Sequence, residues 1–247
     1  MAIQILRLYA KIVAILKGNF MRFDKKHNLP GTLICVEGID GSGKSTQLAI
    51  LKEWLCETVN DVIFTEWNSS RLISQTTKLA KKKSQLSPRT FSLLHAVDFA
   101  DRLDQIIVPA LKAGFIVLAD RYVYTAFARD VARGVDADWV RNMYGFAIQP
   151  DIAVYFKVPV DVSLKRICTN RQPKFYEAGM DLKLSNDPYE SYRIFQGRVI
   201  YEYDRMVDEY GLIKMDATAS IHEQQIAFRD YVKKVLEQKG IKIAEAK

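Results

Sequence analysis

Cysteine is scarce and scattered. Cys35, Cys56 and Cys168 are the only three, and no two form a C-x-x-C pair. That excludes a disulfide framework and a zinc knuckle, and it suits a reducing, cytoplasmic setting. His27, His95 and His222 likewise lack metal-ligand spacing. Long unbroken apolar runs are also missing. The most apolar stretch, residues 3–17, is interrupted by Gln4, Arg7 and Lys11, so a membrane span is not expected. No small-residue cleavage site stands out and Ala2 follows Met1, so neither a cleaved leader nor N-myristoylation is expected. There is no internal repeat and no low-complexity segment. No Asn-Lys-x-Asp guanine-reading motif occurs, which argues against a GTPase switch.

An excess of charge is missing from the body as well. The whole chain carries +7, but residues 1–30 hold six basic residues against Asp24 alone, leaving the rest at only +2. A nucleic-acid-binding body would show a basic face, so nucleic acid is not an expected partner. The basic first thirty residues form a separate amphipathic helical extension. Three roles are open for it: a helix packed on the body or on a second subunit, a membrane-surface helix using residues 1–23, or an organelle-targeting peptide. Membrane contact is the less favoured of the first two. Asn28-Leu29-Pro30-Gly31 reads as the hinge into the body.

What is present is one complete motif. Gly38-Ile39-Asp40-Gly41-Ser42-Gly43-Lys44-Ser45-Thr46 satisfies G-x-x-x-x-G-K-[ST]. The apolar run Leu33–Val36 precedes it and a helical pattern through Leu48, Leu51 and Leu55 follows. This strand–loop–helix context distinguishes a phosphate-binding loop from a chance glycine-rich turn. Its glycines let backbone N–H groups converge on phosphate oxygens, and the following helix adds its positive end. Lys44 is suited to the β- and γ-phosphates of ATP, and the Ser45 hydroxyl to Mg²⁺.

Four further strand candidates, 61–65, 115–119, 152–156 and 212–215, alternate with helical patterns. With 49% hydrophobic residues in 247, the chain suits one α/β domain with a large core over residues 31–247. Continuously apolar strands separated by helices imply a five-stranded parallel sheet covered on both faces, a three-layer α/β/α sandwich of the phosphate-loop NTPase type. Ligands in such sheets sit at the carboxyl ends of the strands. Two segments fall there. Glu66-Trp67-Asn68-Ser69-Ser70-Arg71 follows the second strand, and Asp120-Arg121-Tyr122 follows the third. Asp120 suits a second Mg²⁺ anchor or a helix N-cap. Arg121 suits a phosphate fork or a structural salt bridge. Residues 166–180 are basic, contain Pro and Gly, and read as a lid. Lys81-Lys82-Lys83 reads as a solvated helix face or loop rather than a binding patch. Phe195, Val199, Tyr203, Met206 and Tyr210 read as a core stripe.

Taken together, these residues resemble the thymidylate kinase family of nucleoside monophosphate kinases. The resemblance spans residues 31 to about 235. It rests on Val36 through Gln47, on Val108-Pro109-Ala110-Leu111 with Gly114, on Asp120-Arg121-Tyr122, on Gln149-Pro150-Asp151, and on Leu164-Lys165-Arg166 with Arg171. It implies Mg²⁺-dependent transfer of the γ-phosphoryl of ATP to a nucleoside monophosphate, dTMP first, in a cytoplasmic homodimer. Arg121 would grip the acceptor phosphate and Asp40 approach its sugar. With no arginine in the phosphate loop, the catalytic cation would come from the lid: Arg171 first, then Arg166 or Lys174.

The base pocket departs from the family pattern. Thr65-Glu66-Trp67-Asn68-Ser69-Ser70 replaces Thr-Arg-Glu-Pro-Gly-Gly. The base-stacking aromatic falls at His95 and the base-reading arginine at Phe99, with Arg102 one turn on. Arg129-Asp130 replaces Tyr-Gln. The acceptor site implied is therefore Asp40, Glu66, His95, Phe99, Arg121 and Arg129. These changes leave two alternatives: a kinase of the same fold for another nucleotide or a nucleoside, or a low-turnover nucleotide-binding regulatory protein.

Overall fold

A computed structural model describes residues 26–59, 61–82 and 86–244. The helical extension lies outside the described residues apart from its last five, as does Lys83 of the lysine run.

Five strands form one parallel sheet: β1 (Thr32–Glu37), β2 (Val62–Glu66), β3 (Ile116–Asp120), β4 (Ile152–Lys157) and β5 (Ile213–Asp216), in the order β2-β3-β1-β4-β5. All lie within a residue of their expected positions. Every residue of β1 is buried, as its unbroken apolar run requires of a central strand with helices on both faces. Edge strand β2 is partly open, and Lys52 covers its Phe64 ring at 5.7 Å.

The helices are α1 (Lys44–Thr58), α2 (Ser74–Lys82), α3 (Pro88–Arg102), α4 (Val108–Lys112), α5 (Val123–Ala132), α6 (Ala137–Met143), α7 (Val160–Cys168), α8 (Pro188–Tyr210) and α9 (Ile221–Gln238). Local chemistry sets several starts. Ser87 caps α3, Asp136 caps α6 and Asp187 caps α8, each accepting from backbone N–H groups. Ser220 and Glu223 form a reciprocal capping box on α9. Between α3 and α4 the chain makes a π-helical turn, Leu103–Ile107, just before Pro109. Proline has no N–H to give to the preceding turn, and the wider turn absorbs that gap without ending the rod. The stripe on α8 is core as expected: Phe195, Val199, Tyr203 and Met206 are fully buried.

Residues 26–31 contact the body. His27 Nε2 lies 3.0 Å from Asp151 Oδ2, Lys26 bridges to Gln149, and the Gly31 N–H donates to Leu111 O at 2.8 Å. A Cβ on Gly31 would sit 2.4 Å from the Phe115 carbonyl oxygen, so only glycine fits there. No helix among the described residues is long and apolar enough to cross a membrane. The three cysteines are free.

The sheet order puts β1 between β3 and β4. Val36 is in register with Asp120 and Asp120 with Glu66, so three strand ends meet beside the glycine-rich loop.

Candidate functional site

The loop between β1 and α1 takes its shape from three left-handed or extended-positive glycines, Gly38 (φ 143°), Gly41 (φ 75°) and Gly43 (φ 88°). A Cβ on Gly38 would lie 2.8 Å from Phe156 O, and one on Gly41 2.7 Å from Ser163 O. Neighbouring elements hold the turn. The Asp40 carbonyl accepts from Ser163 Oγ (2.7 Å) on α7 and Tyr192 Oη (3.0 Å) on α8. The Lys44 ammonium folds back over the loop onto the Ile39 carbonyl at 3.3 Å. Burial, with Arg121 nearby, lowers its pKa to about 8.

At the head of α1, Ser45 Oγ donates to Asp120 Oδ2 at 2.9 Å. Asp120 Oδ1 is buried with no hydrogen-bond partner among the described residues. A hydroxyl and a carboxylate with an unmet oxygen are a donor set that suits a hard divalent cation, so the residues fit Mg²⁺. Asp120 is not a helix N-cap, since Tyr122 occupies that position on α5.

Arg121 stands at φ 72°, an uncommon conformation for a non-glycine residue. Buried Glu37 pins the turn around it. Its carboxylate accepts from the Tyr122 N–H (2.7 Å), Thr125 Oγ1 (2.6 Å) and Tyr203 Oη (2.7 Å). Burial raises the Glu37 pKa, and the hydroxyls of Thr125 and Tyr203 pull against that rise. So held, the guanidinium donates to the Gly38 carbonyl (3.0 Å) and to Asp40 Oδ1 (2.7 Å). Arg129 donates to the other Asp40 oxygen at 2.7 Å. Burial alone would raise the Asp40 pKa. Arg129, Arg121 and Lys44 outweigh it and hold the carboxyl well below the usual range.

The lid cations differ in position. Arg166, near the end of α7, reaches the Gly41 and Ser42 carbonyls at 3.5 Å and Ala217 O at 2.9 Å. Arg171 turns to Glu177, at 2.7 and 3.1 Å, and is 41% exposed. Lys174 is mostly exposed.

A cavity of about 470 Å³ opens beside Asp40 and Arg121. Trp67, Phe91, His95, Phe175 and Tyr176 give it aromatic walls, with Arg129, Asn68 and Lys81 among its polar lining. The Phe91 ring is 4.3 Å from His95 and 5.0 Å from Tyr176, and Trp67 meets His95 edge-on at 5.5 Å. Asn68 adopts φ 63°, and Asp98 holds this turn by accepting from the Asn68 and Ser70 N–H groups. Burial lowers the His95 pKa, with Asp130 opposing.

Of the expected acceptor residues, Asp40, His95, Arg121 and Arg129 line this cavity. Phe99 does not. It is fully buried behind Trp67, edge-on to Tyr122 and Tyr144, because an unpolar ring gains more from the core than from a wet cleft. Glu66 is exposed and outside the lining. Arg102 is buried under Trp67 and donates to Thr65 Oγ1 at 3.0 Å. Of the lysine run, Lys82 is exposed at the end of α2, at the cavity rim, as a solvated helix face requires, whereas Lys81 departs from that reading: it lines the cavity and sits 5.0 Å from the Phe91 ring centroid. Trp67, Phe91, Phe175, Tyr176 and Lys81 were not marked as site residues. Trp67 carried a signal in its place just beyond β2, and Phe175 and Tyr176 in theirs within the lid; Phe91 carried none. Among the described residues there is no cluster of three or more His, Cys, Asp or Glu suited to a metal.

A family profile described as thymidylate kinase matches residues 36–226. The chain is 46% identical to "Probable thymidylate kinase 2" of Saccharolobus solfataricus over 81% of this chain and 94% of that protein. It is 37% identical to "Probable thymidylate kinase" of Thermococcus onnurineus, over 54% and 70% respectively. It is 32% identical to "Thymidylate kinase" of a Geobacillus strain, over 62% and 76%.

Proposed function

The chain belongs to the thymidylate kinase family, and from that premise we propose that it transfers the γ-phosphoryl of ATP to dTMP, giving dTDP and ADP. The observation that carries the reading is the placement of Arg121, held beside the phosphate loop and bonded to both Gly38 and Asp40.

In this reading the loop amides from Gly38 to Thr46, the N-terminal end of α1 and Lys44 hold the donor phosphates. Ser45 and Asp120 would hold Mg²⁺, which supplies charge neutralisation between the phosphates when bound. Arg121 binds the acceptor phosphate. Asp40 keeps Arg121 and Arg129 aligned until that anion arrives, then remains as a hydrogen-bond acceptor toward the sugar. Arg171 reaches the transferring group only when its pair with Glu177 opens, whereas Arg166 already lies against the loop; both serve as lid cations. The aromatic walls exclude water and take the flat base. Catalysis is then positioning and electrostatics, with no covalent enzyme intermediate. The enzyme works as a homodimer, and its free cysteines suit the cytoplasm.

The test is ADP release from Mg·ATP with a panel of nucleoside monophosphates and free nucleosides. The reading expects dTMP-dependent ADP. Activity confined to unphosphorylated nucleosides, or ATP binding with no acceptor-dependent ADP, overturns it.

A further inference from the structure

Two parts of the lid are held in different ways. The later part is bound to the body through its backbone. The Tyr176 carbonyl accepts from Arg133 Nη2 (2.8 Å), the Glu177 carbonyl from Gln196 Nε2 (2.7 Å) and the Ala178 carbonyl from Ser191 Oγ (2.7 Å). Three consecutive carbonyls are thus fixed by α8 and by the residue just past α5. The earlier part reaches Glu177 through its carboxylate. Arg171 gives that carboxylate two parallel bonds, 2.7 and 3.1 Å, and the Lys174 N–H donates to it at 3.1 Å. The Arg171 N–H donates to Ile167 O at 3.0 Å, at the end of α7, so its side chain can swing without moving its backbone.

The two partners differ in freedom. The Glu177 side chain is 15% exposed against 41% for Arg171, so the carboxylate is the fixed member and the guanidinium the free one. Glu177 raises the Arg171 pKa against the cost of burial, and Asp40 adds to the rise, so Arg171 already lies within electrostatic range of the phosphate loop. Glu177 also lines the cavity that holds Asp40 and Arg121. A phosphate entering beside Arg121 therefore brings a second anion to the cavity. It repels the carboxylate and offers the guanidinium oxygens of the same kind, so the pair can exchange partners. Of the phosphate loop only Asp40 lines this cavity, so ATP held by residues 41–46 leaves the pair intact.

We propose that Glu177 is a positioning residue that keeps Arg171 off the transferring phosphoryl group until an acceptor fills the cavity, and so suppresses transfer to water. This rests on the kinase reading above, with Arg171 as a lid cation. In both reactions the bond from the γ-phosphorus to its bridging oxygen breaks, and ADP leaves with that oxygen. With dTMP the new bond forms to a phosphate oxygen of dTMP. With water it forms to the water oxygen and gives phosphate and a proton. A cation beside the group stabilises either transfer, so one released early promotes hydrolysis.

The test is phosphate release from Mg·ATP without acceptor, and dTDP formation with dTMP, in the wild type, in Glu177→Gln and in Glu177→Gln with Arg171→Met. Glu177→Gln keeps the length and an acceptor for the Lys174 N–H but removes the charge. Loss of a partly exposed ion pair predicts that acceptor-free hydrolysis rises about three- to tenfold. Adding Arg171→Met returns it to the wild-type rate or below. Structural damage would slow hydrolysis rather than speed it. Glu177→Asp keeps the charge but shortens the reach. It should give a smaller rise, and it stands in if Glu177→Gln fails to melt cooperatively. Unchanged or slower hydrolysis in Glu177→Gln, or a rise that survives Arg171→Met, overturns the proposal. A wild type that forms no dTDP from dTMP overturns the function reading and this inference with it. A wild type that forms dTDP, without these changes in hydrolysis, overturns only the inference.

Discussion

The two ends of one cleft satisfy their polar groups in opposite ways. At the phosphate end Glu37 has three donors, Asp40 has two guanidinium groups, and Arg121 has a carbonyl and a carboxylate, with contacts of 2.6–3.0 Å. At the base end Trp67 Nε1, Asn68 Oδ1 and both His95 ring nitrogens are buried without a hydrogen-bond partner among the described residues, and Lys81 has no ion pair there. Orphaned polar atoms cost free energy unless something meets them. The difference separates an end whose arginines and acids are largely paired without ligand, with Asp120 Oδ1 and Ser42 Oγ left over among the described residues, from a pocket whose polar groups are finished by what enters it.

The largest expected effect strikes the finished end. Arg121→Ala should lower kcat by about 10³-fold, the order found when a charge-stabilising donor is removed, while ATP binding persists. Steady-state turnover with equilibrium ATP titration checks both halves. Normal turnover would erase the distinction between the ends.

At the open end, Trp67→Ala should raise KM for dTMP about tenfold, in line with a lost base–aromatic contact, and leave the ATP KM near wild type. An equal effect on both substrates would mean that the two ends are not separable.

A pH series sharpens the contrast. The groups facing Lys81 are Arg129 on α5, Arg133 just past its end, Asp98 on α3 and Asp40 in the phosphate loop, and His95, Lys82, Lys174 and Glu177 line the same cavity. With its pKa lowered to about 8, Lys81 is charged below that value and loses its proton as pH rises through it. The Kd for dTMP, titrated without ATP, should therefore be lowest near pH 7 and rise about tenfold by pH 9.5. Lys44, also about 8, titrates over the same range, but it serves the ATP phosphates, which this titration leaves out. A flat Kd would argue against a charged Lys81 in the acceptor cavity.

The smallest effect tests the support behind Arg121. Tyr203→Phe removes one of three donors to buried Glu37. It should cost about 1–2 kcal/mol of stability, read as a lower Tm, with a smaller change in kcat than Arg121→Ala gives.

The same contrast explains what the residue order revealed. The phosphate loop, Ser45, Asp120 and Arg121 sit within a few residues of strand ends, so motif and strand pattern located them together. The strands themselves were plain because central parallel strands are unbroken apolar runs. The base end is assembled from the turn after β2, α2, α3, α5 and the lid, and no spacing in the chain links Lys81 to Phe91 or Tyr176. His95 and Phe99 lie four residues apart on α3, yet one lines the cavity and the other sinks into the core behind Trp67. The π-helical turn before Pro109 was invisible for a related reason. Its cause is one missing N–H, absorbed by geometry rather than by composition.

The central claim is that Arg121 marks where the acceptor's phosphate sits, and a comparison of dTMP with thymidine tests it most directly. Affinities of both ligands would be titrated against the wild type and Arg121→Ala. The account predicts that the wild type prefers dTMP by about 100-fold or more and that the variant loses most of that preference. An undiminished preference in the variant would contradict it.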